Sequence, residues 1–331
     1  MNPSNISRRK VLTMAGKAGL AVGLASIGSP VFAQEKKLMI GYWPLSAGLP
    51  FYVAMERGFF KEAGVSVEAV KFASPNQVVD AMIAGRLDGC ANGVAITALA
   101  LADAQAPGSI KFTCMNFANE EFVLDQIIVP IDSTIKSISE LAGKKVACGP
   151  GINNVTLAKA VLEGNKIKDA KVIELPIPQI LPALASGQID AAYVLEPSAV
   201  IGKQQKISRS LGAGVISKYV LGNGLPWIGG AAALNATTIK DKSALVPGFL
   251  KGYTAGVEYV RQQGLLANAY LKGFTPIDGE LAKEVPISGY INYNEVKPND
   301  VVALQRLFDI FTERKVFSQS ISAQSLIYRS A

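Results

Sequence analysis

The chain has 331 residues, of which 49% are hydrophobic and 18% are charged, and its formal net charge is +7. Residues 1–33 hold four basic residues and no acidic one, so residues 34–331 carry 29 basic and 26 acidic residues and a net charge of only +3. This small excess, without a cluster of basic and aromatic side chains, argues against nucleic-acid binding, and the absence of histidine removes the Ser-His and Cys-His nucleophile pairs and the commonest metal ligand.

The first 33 residues have the three-part pattern of a secretory signal. A basic start lies in Ser7–Leu12, which also fits the twin-arginine address for export of folded proteins. The apolar stretch Val11–Ile27 follows, and Val31–Ala33 places small or apolar side chains where a signal peptidase reads them. A membrane anchor is the alternative, but Lys17 interrupts a run that would need about 20 apolar residues. We therefore expect cleavage after Ala33 and a periplasmic protein.

From residue 38 onward, predicted strands alternate with predicted helices. The apolar patterns predict strands at 38–41, 65–69, 87–91, 110–114, 145–148, 172–175 and 189–194, and helices at 51–57, 75–84, 95–104, 155–163 and 179–186. Ser74 is the expected N-cap of the second of these helices, and Ser137 with Glu140 fits a capping box. Strands separated by helices of this length indicate α/β lobes with mainly parallel sheets.

The alternation of strands and helices occurs twice in the sequence, since Gln77–Asp88 aligns without a gap with Gln179–Asp190. Both segments read as a helix, a terminal glycine and the entry to a strand. We therefore expect a first lobe built from residues 34–120, a second lobe at 121–221, and a return of 222–331 to the first lobe through helices near 245–263 and 298–313. The chain would cross between the lobes near 117–128 and 219–230, which makes a two-segment hinge.

Ligands of open parallel sheets bind outside the carboxyl ends of the strands. That rule selects the loops 42–50, 91–97, 149–154 and 193–197, in which Glu196 is the only charged residue. The candidate ligand-binding residues are Tyr42, Trp43, Ser46, Asn92, Gly93, Gly151, Asn153, Asn154, Tyr193, Glu196 and, beyond these loops, Trp227.

The content of these loops suits recognition of a ligand better than reaction. The glycine-rich turn around Gly151 lets backbone amides at a helix start approach anionic oxygens, although such a turn is also a common strand-to-helix connection. Each aromatic candidate either walls a ligand or fills the core. Glu196 either accepts an N–H or O–H of the ligand or bonds to the backbone of the hinge.

The cysteines carry no sign of a metal site or a disulfide framework. Cys90, Cys114 and Cys148 are odd in number, have no CxxC spacing and lie in apolar runs, so buried thiols are expected. We predict no catalytic residue, no metal and no cofactor.

Five segments resemble the nitrate/sulfonate/taurine-type solute-binding proteins of ABC transporters, a family that also contains binders of thiamine-pyrimidine precursors. They are Gly41–Pro44, Phe51–Gly64, Ala84–Asp88, Ser137–Lys145 and Asp190–Pro197. The resemblance covers roughly residues 38–200, and beyond them only the helical character. It implies a type II periplasmic-binding-protein fold, with Tyr42–Ser46, Gly149–Asn154 and Glu196-Pro197 lining the cleft.

The resemblance also implies a function. The expected protein is a monomer that captures a small anion (sulfonate, nitrate, carboxylate or aromatic acid) or a heterocycle and delivers it to an ABC permease of the inner membrane. An enzyme on the same fold, such as a pyrimidine-precursor synthase or an acid–base lyase acting through Glu196, is one alternative; a ligand-presenting sensor is another. The family members that synthesise the pyrimidine use a histidine, and this chain has none.

Overall fold

The computed structural model describes residues 37–222, 224–277 and 279–330. The predicted signal lies outside these residues. Within them, no helix is both long enough and apolar enough to cross a membrane. The strands are β1 (Lys37–Tyr42), β2 (Ser66–Lys71), β3 (Gly89–Cys90), β4 (Ile110–Ala118), β5 (Asp125–Pro130), β6 (Lys145–Cys148), β7 (Lys171–Glu174), β8 (Ala191–Leu195), β9 (Ser208–Ala213), β10 (Trp227–Asn235) and β11 (Gly289–Asn292).

Most predicted helices are present, with ends shifted by a few residues. The helices are α1 (Leu49–Glu56), α2 (Phe59–Glu62), α3 (Pro75–Ile83), α4 (Ile96–Gln105), α5 (Ile152–Gly164), α6 (Ile177–Ala185), α7 (Ser198–Gln204), α8 (Ala236–Asp241), α9 (Val246–Gln263), α10 (Pro298–Glu313) and α11 (Ala323–Leu326). Ser74 caps α3 as predicted, because its Oγ accepts the N–H of Gln77. The predicted capping box is wrong: Glu140 accepts the Lys136 N–H and the Ser137 hydroxyl, and only a 3-10 turn forms.

Two mixed sheets organise the described residues, and each defines a lobe. The first lobe holds a six-stranded sheet in the order β11-β4-β10-β3-β1-β2, and the second a five-stranded sheet in the order β7-β6-β8-β5-β9. In each sheet four of the described strands run in one direction, whereas β10 and β11 in the first sheet and β5 in the second run against them. The expectation of an α/β fold with two mainly parallel, helix-flanked sheets is confirmed.

The internal repeat is visible in hydrogen bonds as well as in sequence. Asp88 accepts the backbone N–H of Met39 at 2.8 Å, and Asp190 accepts that of Lys145 at the same distance. Each aspartate thus ties the entry of one strand to its parallel neighbour. The glycines before them, Gly85 and Gly187, both have positive φ values and end their helices in the left-handed conformation that glycine adopts without strain.

The chain passes between the sheets twice, after β4 and after β9. Asp125, the first residue of β5, joins the two passages: its carbonyl oxygen accepts the Gly214 N–H at 2.9 Å, and its Oδ2 accepts the Ile216 N–H at 2.8 Å. The second passage then contains a π-helical turn, Ser217–Leu221. These bonds make the two passages one mechanical unit.

Part of the first lobe was missed by the sequence patterns. The strand β10 lies between β3 and β4, and β11 forms the edge beside β4. The nine residues of β10 include two glycines and four small or amide residues, so β10 lacks the β-branched run that marks a strand. The long helix α9 packs on the first lobe, where Phe249 stacks on Phe60 with ring centroids 5.4 Å apart.

Because the carboxyl of Asp125 is buried, we expect the stability of the protein to depend on pH. Burial raises the pKa of its carboxyl from 3.8 to about 7. Between those values the folded protein keeps a proton that the unfolded chain releases, so the free energy of unfolding falls as the pH rises, by up to about 4 kcal/mol. Asp125→Asn, which keeps an oxygen for Ile216, should reduce the slope of urea-unfolding stability across pH 4–7, and the slope that remains belongs to Glu196, whose pKa burial also raises to about 7. The exposed Asp132→Asn is the control, and equal pH slopes in both variants would contradict this assignment.

Candidate functional site

A cavity lies where the carboxyl ends of strands from the two lobes meet. Its walls are Trp43, Pro44 and Leu45 from the first lobe and Gly149, Asn154, Ile177, Ile180, Tyr193, Val194, Leu195, Pro197 and Ser198 from the second. The space open to water-sized molecules is about 30 Å³, which is the share of one water molecule in the liquid. Around this cavity the lobes are therefore in close contact, whereas an opening of about 280 Å³ remains between α3, α4 and α10 of the first lobe and Ile152 and Asn153 of the second.

Hydrogen bonds across the cavity hold the lobes together. The backbone N–H and the hydroxyl of Ser46 both donate to the carbonyl oxygen of Glu196, at 3.3 and 3.2 Å. We call the interface between the two lobes the seam. Elsewhere in the seam, the hydroxyl of Thr97 in α4 donates to Oδ1 of Asn153 in α5. Two of the predicted site residues, Ser46 and Asn153, thus join the lobes rather than line the cavity.

Two ion pairs also join the lobes. Arg314 contacts Glu163 of α5 at 2.7 Å, and Lys203 of α7 contacts Glu284 of the first lobe at 3.2 Å. These side chains are partly or largely exposed, so each pair adds little to stability. Closure depends more on the buried contacts, including those of Val200 in α7, which packs into the first lobe's core.

The indole of Trp43 is fixed by the first lobe. Its Nε1 donates to the carbonyl oxygen of Gly93 at 2.7 Å, and the side chain is 4% exposed. Its hydrogen-bonding edge is therefore occupied, while the residue remains part of the cavity wall. Gly93 acts through this carbonyl and does not line the cavity.

Tyr42 and Asn92 lie inside the first lobe and not on the cavity wall. Tyr42 packs edge-on against Tyr52 and Phe274. The Asn92 side chain accepts the hydroxyl of Tyr253 at 2.7 Å and donates to the carbonyl oxygen of Cys114 at 3.0 Å. For these two candidates the geometry in this state is that of core residues.

The glycine-rich turn before α5 serves the seam as well as the cavity. Gly151 has a φ of +101°, and an added Cβ would lie 2.7 Å from Nδ2 of Asn76 in the first lobe, so a glycine is needed here for close approach. Its N–H donates to Glu174 at 2.7 Å. Asn154 lines the cavity and its Nδ2 donates to the carbonyl oxygen of Pro150 at 2.9 Å.

Tyr193 lines the cavity and carries a buried hydroxyl without a partner among the described residues. The residue is 1% exposed, and its hydroxyl is buried and bonds to no atom of the described residues. Burial, and then the carboxylate of Asp125, hold the pKa of this phenol well above its usual range, so the hydroxyl is a neutral donor. Trp227, from β10, is similarly buried with its Nε1 unpaired in the described structure, but it is not a wall residue of this cavity.

The Glu196 carboxylate bonds within the second lobe. One of its oxygens accepts Nε2 of Gln126, and the other accepts the backbone N–H of Val200 in the first turn of α7, at 3.2 Å. Burial raises the pKa of this carboxyl to about 7. Of the two roles that the sequence left open, bonding to protein is the one that this state displays.

The remaining observations concern the charged side chains, the thiols and the possible metal ligands of the described residues. The lining of the cavity includes no lysine and no arginine. Burial raises the pKa of the thiols of Cys90, Cys114 and Cys148 to about 12, which keeps them protonated and unreactive. No group of three or more Cys, Asp or Glu side chains in these ranges is arranged to hold a metal ion.

Sequence reasoning missed several wall residues, chiefly Ile177 and Ile180 of α6 and Ser198 of α7. The signal that could have found the α6 pair was present, because α6 follows the carboxyl end of β7, one of the predicted strands. The loop after that strand was not among the four selected.

A search with models of protein families matches residues 47–263 to the family described as NMT1/THI5 like. Among curated proteins, relatives from Brucella abortus and Brucella suis are 27% identical over 184 residues, and each carries only the provisional name of binding protein. The match covers 54% of this chain and 54% of each relative, so the chain spans about half the length of the curated relatives it matches.

Solved structures share the fold at low sequence identity. The periplasmic aliphatic sulphonate binding protein SsuA of Escherichia coli has a TM-score of 0.71 at 17% identity, covering 89% of this chain and 92% of that one. The alkanesulfonate-binding SsuA of Xanthomonas axonopodis, bound to MOPS, has the same TM-score and identity, with coverage of 89% and 98%. The nitrate-binding protein NrtA of Synechocystis scores 0.65 at 14% identity, with coverage of 88% and 85%.

The family match extends over about two thirds of the sequence and includes the second-lobe walls of the cavity, and the fold of the solved neighbours agrees with it. The chain is a member of the NMT1/THI5-like family.

Proposed function

We propose that the protein is the extracytoplasmic solute-binding component of an ABC importer. It captures a small ligand between its lobes and delivers it to a permease of the inner membrane. The observation that carries the proposal is the cavity between matching strand ends of two repeated lobes, closed by hydrogen bonds from Ser46 and Thr97. Export through the signal at residues 1–33 and action in the periplasm as a monomer belong to the same proposal.

Capture follows from closure. A ligand that contacts both lobes stabilises the closed state relative to the open one by its difference in affinity for the two. Tyr193 lines the cavity, and its buried hydroxyl has no hydrogen-bond partner within the described residues; leaving such a group unbonded costs about 1–3 kcal/mol. A ligand that accepts this hydroxyl removes that cost only when the lobes are shut.

The lining restricts how the ligand is held. Because no lysine or arginine lines the cavity, a sulfonate, nitrate or carboxylate would be bound by neutral donors such as the Tyr193 hydroxyl. The solved neighbours that bind sulfonates and nitrate support an anion. The wall residues Trp43, Ile177 and Leu195 equally suit the apolar part of an aromatic acid or a heterocycle.

An enzyme on the same fold is the second candidate, and Glu196 is the observation that favours it. A buried carboxyl with a pKa of about 7 is matched to acid–base work at neutral pH. Its two oxygens, however, already bond to Gln126 and to Val200. Mass spectrometry of a bound compound after long incubation with the protein separates the two candidates, since recovery of the compound unchanged supports binding and its conversion supports catalysis.

A thermal-shift screen with MOPS, taurine, nitrate, benzoate and an aminopyrimidine supplies the ligand for the tests. A compound present at 100 times its dissociation constant should add about 2.7 kcal/mol to the free energy of unfolding. X-ray scattering with and without that compound should then show a smaller radius of gyration when it is bound. A tightly bound ligand that leaves the radius of gyration unchanged would contradict the capture mechanism.

Tyr193→Phe tests the ligand contact. Loss of one hydrogen bond should weaken calorimetric affinity roughly fivefold. The ligand-free variant should be at least as stable as the parent, because the lost hydroxyl has no protein partner in the described structure. Tyr42→Phe, in the core of the first lobe, is the matched control with unchanged affinity. Equal affinity in both variants would remove Tyr193 from the site.

The double variant Ser46→Ala, Thr97→Val tests the seam. It removes two hydrogen bonds made only when the lobes are shut, so the ligand-free radius of gyration should increase and ligand affinity should fall roughly tenfold. Thr113→Val is the control, because its hydroxyl bonds to Ala232 within the first lobe at 3.2 Å. If the control lowers affinity as much as the double variant does, closure does not depend on these bonds.

A further inference from the structure

Two adjoining grooves lie on the first lobe beside the segment 322–329. One has an accessible volume of about 590 Å³ and the other of about 450 Å³, and they share Gln324, Ile327, Tyr328 and Arg329. Both have a larger volume than the cavity lined by Trp43 and Tyr193, and none of their wall residues belongs to that cavity. We call the pair the C-terminal groove.

The charge of the C-terminal groove is uniformly positive. Lys111 at the start of β4, Lys240 in α8, Lys297 before α10 and Arg329 line it, and its walls contain no acidic residue. None of these four side chains forms an ion pair with a carboxylate in the described parts of the chain. Four unpaired cations in one groove exceed the whole net charge of +3 of residues 34–331.

Hydrogen bonds and a contact between two rings hold the walls of the groove in place. Lys111 donates from Nζ to the carbonyl oxygen of Ser325 at 2.6 Å, and the Tyr328 N–H donates to the carbonyl oxygen of Phe112 at 2.9 Å. Between the two halves, the rings of Tyr293 and Tyr328 meet edge to face with centroids 5.1 Å apart. The cations therefore surround fixed aromatic surface, a composition that is enriched at the centres of protein interfaces.

The groove is distant from the ligand cavity. Lys111 is at the start of β4, whereas the cavity lies past the carboxyl end of β1, which runs in the same direction. From Lys111 to Phe117 the strand advances about 20 Å. A partner in the groove would therefore reach the protein without covering the cavity.

We propose that the C-terminal groove docks an acidic, extended segment of a partner polypeptide. The positive walls attract carboxylates, and Ile239, Ile327 and the tyrosines offer apolar contact to side chains between them. A concave groove with an aromatic centre fits a peptide better than the flat surface of an anionic membrane. The chain's own residues 1–33 are an unsuitable occupant, because their four charges are positive.

Fluorescence anisotropy with a labelled peptide of eight glutamates flanking one central tyrosine tests the proposal. The protein should bind it at low salt and release it as salt increases. The double variant Lys240→Glu, Arg329→Glu should weaken binding at least tenfold. Lys61→Glu, Lys272→Glu, which changes the net charge equally at exposed positions outside the groove, should change it less than twofold, and Lys240→Arg, Arg329→Lys should retain it.

Three outcomes overturn the proposal: no peptide binding at low salt, equal weakening by the two double reversals, or binding to vesicles of phosphatidylglycerol but not to the peptide. The last result would assign the groove to an anionic membrane surface. Circular dichroism of each variant shows whether it is folded, and the charge-conserving variant keeps the test valid if a reversal unfolds the protein.

Discussion

The carboxylate of Asp125 ties the two passages of the chain between the lobes to each other. It is fully buried, and no cation pairs with it in the described structure. The Ile216 N–H bonds to its Oδ2, whereas its Oδ1 has no partner among the described residues, so the proton that burial favours offsets part of the cost. A hinge of two loose strands would let the lobes slide and twist independently. Because Asp125 bonds to both Gly214 and Ile216, it fixes the two passages to each other where β5 begins and β9 ends.

The closed cavity combines a rigid first wall with a second wall that has an unsatisfied group. Trp43 is fixed by Gly93, while the Tyr193 hydroxyl has no partner within the described residues. Hydrogen bonds between the lobes offset part of that deficit. The described lining of the cavity contains no lysine or arginine, so attraction between charges contributes little there.

The sequence predicted the fold well wherever local signals were strong. The paired segments ending at Asp88 and Asp190 led to two lobes, and the structure gives the two aspartates the same backbone contact. The strand β10 was missed because its small residues are buried by neighbours on both sides, which a local pattern cannot reveal. Of the residues that the rule about strand ends selected, Trp43, Asn154 and Tyr193 line the cavity, and their role in ligand binding stays a prediction.

The roles of single residues were harder to predict than their positions. Ser46 and Asn153 point at the opposite lobe, and Asn92 at its own core, because partners distant in sequence occupy their polar atoms. Glu196 was recognisable as the only charge in the loops, but Gln126 and Val200, which bond to it, could not be paired with it from the sequence. Hydrogen-bond partners are tertiary information.

The position of β10 has a consequence for the order in which the molecule can assemble during synthesis. The second sheet is made from one continuous stretch, residues 125–213, and it is complete before the ribosome has made β10. The first sheet has a vacancy between β3 and β4 until residues 227–235 emerge and pair with both. Until then, the edges of β3 and β4 that face β10 have no partner strand.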